Sequence, residues 1–426
     1  MIKKIFRSAV NLGLSKTARS VYWVFTGNVF SIILTFFTTI LIANHVTKAE
    51  NGIFLALFTL ANLLSDLGEA GLGSALSSFI PRLELEQKSN DARAYLGAAF
   101  RLELGIGIFL LITTTLFAGN LSHILFADTS PTNVVITSGL TLILVLFGFS
   151  TFALSAYKKF REVALMNIFY SLVRLGMLVA AVFLTKLSLF LILAIYLLAS
   201  LLGWIYSLYF LGTKFIMTSG NRVQVKKLLG FSSFLGIQRI FISVSSRLDL
   251  LMLVPLAGAV QAGVYGIASR FALVYPLVIG SLGQVLAPKF AEFAKGRHAL
   301  DFFRKVGLLI GLLLVSLIIF YIFAQPLMLM LVPKYADAIP VFKGLLIAMT
   351  GFIAATPFVS FLIYTLKKPQ VMTFVSAVQL IIIFLSNLYF IPKLGRFGPA
   401  IGIGLGNLAV LVISVGATWY YLKKEI

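Results

Sequence analysis

Two carboxylates, Asp66 and Glu69, stand three residues apart in the stretch SDLGEAGLGSAL, Ser65 to Leu76. On a helix that spacing puts both on one face. Acids so close together in a low-dielectric setting resist double ionisation, so a proton is expected to be shared or exchanged there. Four arginines stand in equally apolar surroundings: Arg174, Arg239, Arg247 and Arg270. A guanidinium stays charged at any physiological pH, and its fork matches a phosphate. Arg239, Ser243, Ser246 and Arg247 fall at offsets 0, +4, +7 and +8, which is one helical stripe. Asn28, Ser31, Thr35 and Thr38 form an uncharged stripe at 0, +3, +7 and +10. Together these side chains offer phosphate donors, hydroxyls and an amide for sugars, and an acid pair for a coupling ion.

The elements that must position them are membrane helices. Of the 426 residues, 60% are hydrophobic and only 12% charged, about half the charge of an ordinary soluble domain. Twelve apolar spans are expected near 20–43, 53–80, 96–117, 133–155, 162–184, 188–211, 230–254, 263–287, 306–325, 339–363, 371–391 and 399–421, each close to the ~20 residues that cross a bilayer. Strand alternation is absent, which excludes a transmembrane barrel. The chain has no cysteine, and its three histidines are scattered. Thiol chemistry and a Cys/His metal cluster are therefore excluded, and no cofactor is expected.

The net charge of +21 has a topological source. If the N-terminus is cytoplasmic, 24 of the 35 Lys and Arg fall on the cytoplasmic side. Five (Lys48, Lys186, Lys334, Lys393 and Arg396) fall on the other. Such asymmetry is the positive-inside signature. It places both termini in the cytoplasm and accounts for the basicity without nucleic acid.

The chain also repeats itself. TKAENGIF (Thr47 to Phe54) follows the first span, and GAVQAGVY (Gly258 to Tyr265) follows the seventh. FIPRL (Phe79 to Leu83) and LAPKF (Leu286 to Phe290) end the spans that come next. The expected architecture is all-α: two pseudo-symmetric six-helix lobes, 20–211 and 230–421, around a central cavity. A basic N-terminal segment (1–19), a cytoplasmic linker (212–229) and a short tail (422–426) complete it. Repeats with a site between them are a transporter arrangement. The polar stripes of the first and seventh spans are expected to face each other across the cleft.

Several stretches resemble a known family. Glu50 to Gly52 followed by Ile53–Phe54, then GLGSAL (Gly71 to Leu76) and Phe79–Ile80, are similar to the start of oligosaccharide flippases of the Wzx type. So are LMLMLVPKYADAIPVFKGLLIAM (Leu327 to Met349) and GRFGPAIGIGLGNLAVLV (Gly395 to Val412) in the second half. These flippases belong to the superfamily of multidrug, oligosaccharidyl-lipid and polysaccharide exporters. The resemblance implies a carrier, not an enzyme, that moves a polyprenyl-pyrophosphate-linked oligosaccharide to the outer leaflet of the inner membrane by ion-coupled alternating access. Arg239, Arg247, Arg270, Arg174, Ser243, Ser246, Asn28, Ser31 and Thr35 would line its cavity, with Glu69 and Asp66 as ion-coupling groups. Its partners would be membrane lipids and a polymerase of the same pathway, with the chain itself a monomer. Three other readings compete: a cation-coupled multidrug exporter, a membrane polymerase or glycosyltransferase, and a non-transporting scaffold. Short loops with few charges count against the enzyme, and the lack of a nucleotide motif counts against direct drive by ATP. Arginines repel a cationic drug, while an acid pocket around Asp66 and Glu69 keeps that reading open.

Topology is directly testable because the chain has no native cysteine. Thiol labelling of Ser219→Cys from the cytoplasmic side and of Ser130→Cys from the opposite side is the expected result. Labelling of both from one side would overturn the orientation.

Overall fold

The computed structural model describes residues 16–69, 71–218, 222–280 and 297–425. The basic residues 1–15 lie outside them. Every regular element among the described residues is helical. Ten stretches are long and apolar enough to cross a membrane. The last of them, Gln370–Lys423, holds two helices, and Val29–His45 is a shorter apolar helix.

The first half of the chain forms α1 (Lys16–His45), α2 (Lys48–Glu69), α3 (Leu72–Leu85), α4 (Ser89–Leu116) and α5 (Ala118–Leu125). It continues with α6 (Pro131–Ala156), α7 (Phe160–Leu184) and α8 (Leu189–Leu211). A single turn, α9 (Lys214–Met217), leads to α10 (Arg222–Ser245), α11 (Leu248–Ala257) and α12 (Ala259–Ala272). Then come α13 (Arg297–Leu331), α14 (Ile339–Ser360), α15 (Pro369–Leu394) and α16 (Gly398–Glu425).

Two expected spans are broken. The sequence predicts one helix over 53–80, but α2 stops at Glu69 and α3 starts at Leu72. Gly71 between them has φ 79°, in the left-handed region that only glycine enters at no cost. A Cβ at Gly71 would stand 2.9 Å from the Ser232 carbonyl oxygen, so the backbones must also meet there. The second break divides the seventh span. The sequence predicts a continuous helix over 230–254, whereas α10 ends at Ser245, and Arg247 has φ −129° and ψ −9° as the residue before α11. The stripe from Arg239 to Arg247 is therefore not one helical face: its last two members, Ser246 and Arg247, belong to the turn.

The chain divides into two compact units. One holds residues 1–45, 60–121 and 130–240; the other holds 46–59, 122–129 and 241–426. The division cuts across the sequence halves at α2 and at α10. In the first unit, Leu72, Leu76 and Ile80 of α3 pack with Leu96 and Phe100 of α4 and Phe149 of α6. Phe215, from the segment expected to be a linker, joins this core. It is only 2% exposed, and its ring centroid lies 5.3 Å from that of Phe100.

The second unit carries a contact that mirrors the repeat. Gly52 in TKAENGIF occupies the same place as Gly263 in GAVQAGVY. A Cβ on Gly52 would lie 2.0 Å from the Ala259 carbonyl oxygen, and one on Gly263 would lie 2.0 Å from that of Lys48. Two equivalent helix starts thus touch backbone to backbone, a close approach that small residues permit between membrane helices. Polar contacts fasten the crossing. Thr47 and Glu50 cap each other's backbone N–H at 3.1 and 2.9 Å, a capping box at the start of α2. Lys48 reaches Asp337 at 2.7 Å, Arg396 reaches the other oxygen of Asp337 at 2.9 Å, and Asn51 donates to the Tyr335 hydroxyl at 3.0 Å.

Overpacking of this kind costs about 1–3 kcal/mol. Gly263→Val is expected to lower the melting temperature of the purified protein. Gly105→Ala, which would meet no atom within 4 Å, is expected to leave it unchanged.

Candidate functional site

The break after Glu69 gives the sequence's acid pair its structure. Glu69 sits at the last position of α2, and its Oε1 accepts from the Gly73 N–H at 2.7 Å. A carboxylate at the first turn of a helix satisfies a donor that no backbone carbonyl reaches, and it meets the positive end of the helix dipole. The other oxygen, Oε2, lies 2.8 Å from Nη1 of Arg239. That guanidinium also lies 5.0 Å from the centroid of the Phe152 ring on α6. Glu69 is nearly buried, while Arg239 is about a third exposed, at 6% and 36% of their side chains. Asp66 is half-buried one turn earlier, and its charge acts on Glu69.

The structure thus joins two residues that the sequence reading kept apart: a candidate phosphate donor, Arg239, and a candidate coupling acid, Glu69. It adds a third residue. Glu103 on α4 is fully buried, with no hydrogen-bond partner for either carboxylate oxygen among the described residues, and the charges acting on it are those of Glu69 and Arg239. In the sequence Glu103 stands within two turns of the inner end of its span, a position that suits an anchor and a cavity entrance equally. Only the packing of α3 and α6 against α4 seals it off.

A second cluster forms around Arg174 on α7. This guanidinium is 3% exposed. It donates from Nη1 to the Tyr170 hydroxyl at 2.9 Å and from Nη2 to Thr35 Oγ1 on α1 at 2.7 Å. The ring centroids of Tyr170 and Tyr196 lie 4.7 and 5.0 Å away, within range of the attraction between a cation and an aromatic face. Its Nε is buried without an acceptor, and no carboxylate pairs with it among the described residues. Thr35 also donates to the Ser31 carbonyl at 2.8 Å, while the Ser31 hydroxyl is itself buried without a partner. The polar stripe of the first span therefore has its described guanidinium partner on the fifth span. The side chain of Asn28 lies outside the described residues.

The remaining predicted residues fall elsewhere. Arg247 Nη1 donates to the Ser243 hydroxyl at 2.5 Å, and the Ser246 hydroxyl donates to the Ser243 carbonyl at 3.0 Å. These three bond to one another around the turn between α10 and α11. Arg270 on α12 lies 5.9 Å from the Phe58 ring centroid.

Breaking a buried ion pair by removing one partner costs about 3–5 kcal/mol, and solvent at Arg239 reduces that here. Glu69→Gln and Arg239→Gln are each expected to destabilise by about 1–3 kcal/mol. The double variant should lose clearly less than their sum, measured by unfolding of the purified protein. Strict additivity would mean that the two side chains do not act as a pair.

Residues 17–294 match the family described as polysaccharide biosynthesis protein. The chain is 24% identical over 420 residues to an uncharacterised membrane protein in the cps region of Klebsiella pneumoniae, covering 96% of this chain and 83% of that one. The fold is similar to that of an inward-facing multidrug-resistance transporter of the MATE family in the MOP superfamily. The TM-score is 0.77 at 12% identity, over 93% of this chain and 96% of that one. It is also similar to the lipid II flippase MurJ in an inward closed conformation, with TM-score 0.75 at 15% identity, over 92% and 87% of the two chains. The all-α membrane fold and the family resemblance read from the motifs agree with these matches: the chain belongs to the polysaccharide biosynthesis protein family of membrane proteins.

Proposed function

We propose that this protein is a flippase that carries a polyprenyl-pyrophosphate-linked oligosaccharide from the inner to the outer leaflet of the cytoplasmic membrane, coupled to an ion gradient. The observation that supports it best is Arg174: a buried guanidinium, braced by two tyrosines and a threonine, with no carboxylate paired to it among the described residues. A permanent charge inside a membrane protein is costly and normally serves a ligand path or a partner. An anionic group such as the pyrophosphate fits that vacancy in charge, and the neighbouring hydroxyls and aromatic faces suit sugars. A cationic drug fits poorly, because the acid that would hold it, Glu69, is already engaged with Arg239.

In this reading Arg174, Thr35 and Ser31 contact the substrate from the first unit, and Arg239 is shared between Glu69 and the phosphate. Arg247, Ser243, Ser246, Arg270 and Asn28 are further cavity contacts, and Asp66 tunes the acid beside it. The chain acts as a monomer among membrane lipids, both termini in the cytoplasm, and hands its product to a polymerase of the same pathway.

Deleting the gene is expected to leave lipid-linked oligosaccharide accumulating and surface polysaccharide depleted. Arg174→Ala, at unchanged membrane abundance, is expected to lower surface polysaccharide at least about tenfold, the effect of about 1.4 kcal/mol on the limiting step. Arg174→Lys should be intermediate, since it keeps the charge and loses the fork. Unchanged surface glycan in the deletion, with altered drug resistance instead, would favour the multidrug exporter.

A further inference from the structure

Glu103 is unexplained by phosphate or sugar contacts. It is fully buried on α4, and neither oxygen has a donor among the described residues. An ionised carboxylate sealed from water needs a cation or several donors. The local supply is already spent. The guanidinium of Arg239 engages Glu69 at 2.8 Å, and the free N–H of Gly73 goes to the other Glu69 oxygen at 2.7 Å. Two buried carboxylates therefore share one cation, and neutrality of the pocket needs one proton.

Among the described residues, the charges that act on Glu103 are those of Glu69 and Arg239. The elements with the most extensive packing on α4 are α3, α6 and α9, and Gly68 of α2 comes close to Leu110. Between Pro131 and Ala156, α6 has no charged residue. The charges on α3 are Arg82 and Glu84, and Arg82 is exposed and paired with Glu86 at 3.0 Å. On α9 the charge is Lys214, also exposed. On α4 itself, Arg101 donates to the Thr218 carbonyl at 2.8 Å. From α2 come Glu69 and the half-buried Asp66, which add negative charge, and from α10 comes Arg239.

We propose that Glu103 is the proton-binding group of this protein: a neutral acid behind the Glu69–Arg239 pair, which exchanges its proton when that pair opens. The assignment deepens the ion-coupled reading above and moves the exchangeable proton from the Glu69–Asp66 pair to α4. The balance is simple. While Arg239 holds Glu69, the cluster is one carboxylate, one guanidinium and one carboxylic acid. When an anion draws Arg239 away, loss of the cation by itself favours the neutral acid; it is the water entering the opened pocket that stabilises the carboxylate, so the O–H bond of Glu103 breaks and the proton passes to water. The carboxylate left behind then competes with Glu69 for the returning guanidinium.

Infrared spectroscopy of the purified protein in nanodiscs tests the resting state. A protonated-carboxyl C=O band that shifts in D2O is expected in wild type, lost in Glu103→Gln and kept in Glu69→Gln. An identical band in Glu103→Gln, or none in wild type, would overturn the proposal. Gln is close in shape to the neutral acid, so failure of Glu103→Gln to fold would also count against it.

Exchange is tested with inorganic pyrophosphate as the probe, added to weakly buffered protein with a pH dye. Wild type is expected to release a proton and Glu103→Gln none. Equal release by both, or none by wild type, would mean that Glu103 does not exchange. The infrared result is independent of the substrate. Unchanged surface polysaccharide in the deletion would remove the flippase reading and leave the Glu103 band in place.

Discussion

Inside a bilayer, a helix break exposes backbone N–H groups where no water can bond them, and a charge has no solvent to stabilise it. Several departures from plain apolar helix among the described residues answer that constraint. At the break after α2, Glu69 takes the Gly73 N–H on one oxygen and faces Arg239 with the other. One side chain thus caps a helix and neutralises a charge. At the break after α10, Arg247 turns back to Ser243. Arg174 is screened by tyrosine rings and hydroxyls in place of an acid. Glu103 lies outside this pattern of satisfaction, and for that reason it is the informative residue.

Glycine makes these arrangements possible in two different ways. Gly71 supplies a backbone conformation, its positive φ, and so lets α3 start at an angle that a continuous helix over 53–80 would forbid. Gly52 and Gly263 supply space, bringing two helix starts within backbone contact. Their reciprocal geometry is the structural form of the repeat between TKAENGIF and GAVQAGVY. The residues around the crossing are not repeated. Lys48, Asp337 and Arg396 make a chain of ion pairs that fastens the crossing.

In the proposed flippase, the placement of Arg239 next to Glu69 would give phosphate binding and ion binding a physical link. One guanidinium has two claimants. An anion that takes Arg239 changes the electrostatic field at Glu69 and Glu103 together, without any movement at a distant site. Coupling of this kind needs only differential interaction in the two states.

Composition, span length and the asymmetry of Lys and Arg are local or additive properties, so the sequence by itself determined the membrane class, the helical fold and the repeat. It also determined which residues are anomalous, because a charge in an apolar run stands out wherever it is packed. It did not determine partners. Spacing placed Arg239 and Arg247 on one stripe, but whether a helix continues through Ser245 depends on what its backbone meets, and the break puts Arg247 in a turn. Spacing set Asp66 beside Glu69, while the partner that matters, Arg239, lies 170 residues further along the chain. Glu103 stands near a helix end in the sequence, a position that suits an interfacial anchor and a cavity entrance equally. Only tertiary packing, which closes α3 and α6 over it, decides that it is dry. Burial and pairing are properties of several segments at once, and no single segment encodes them.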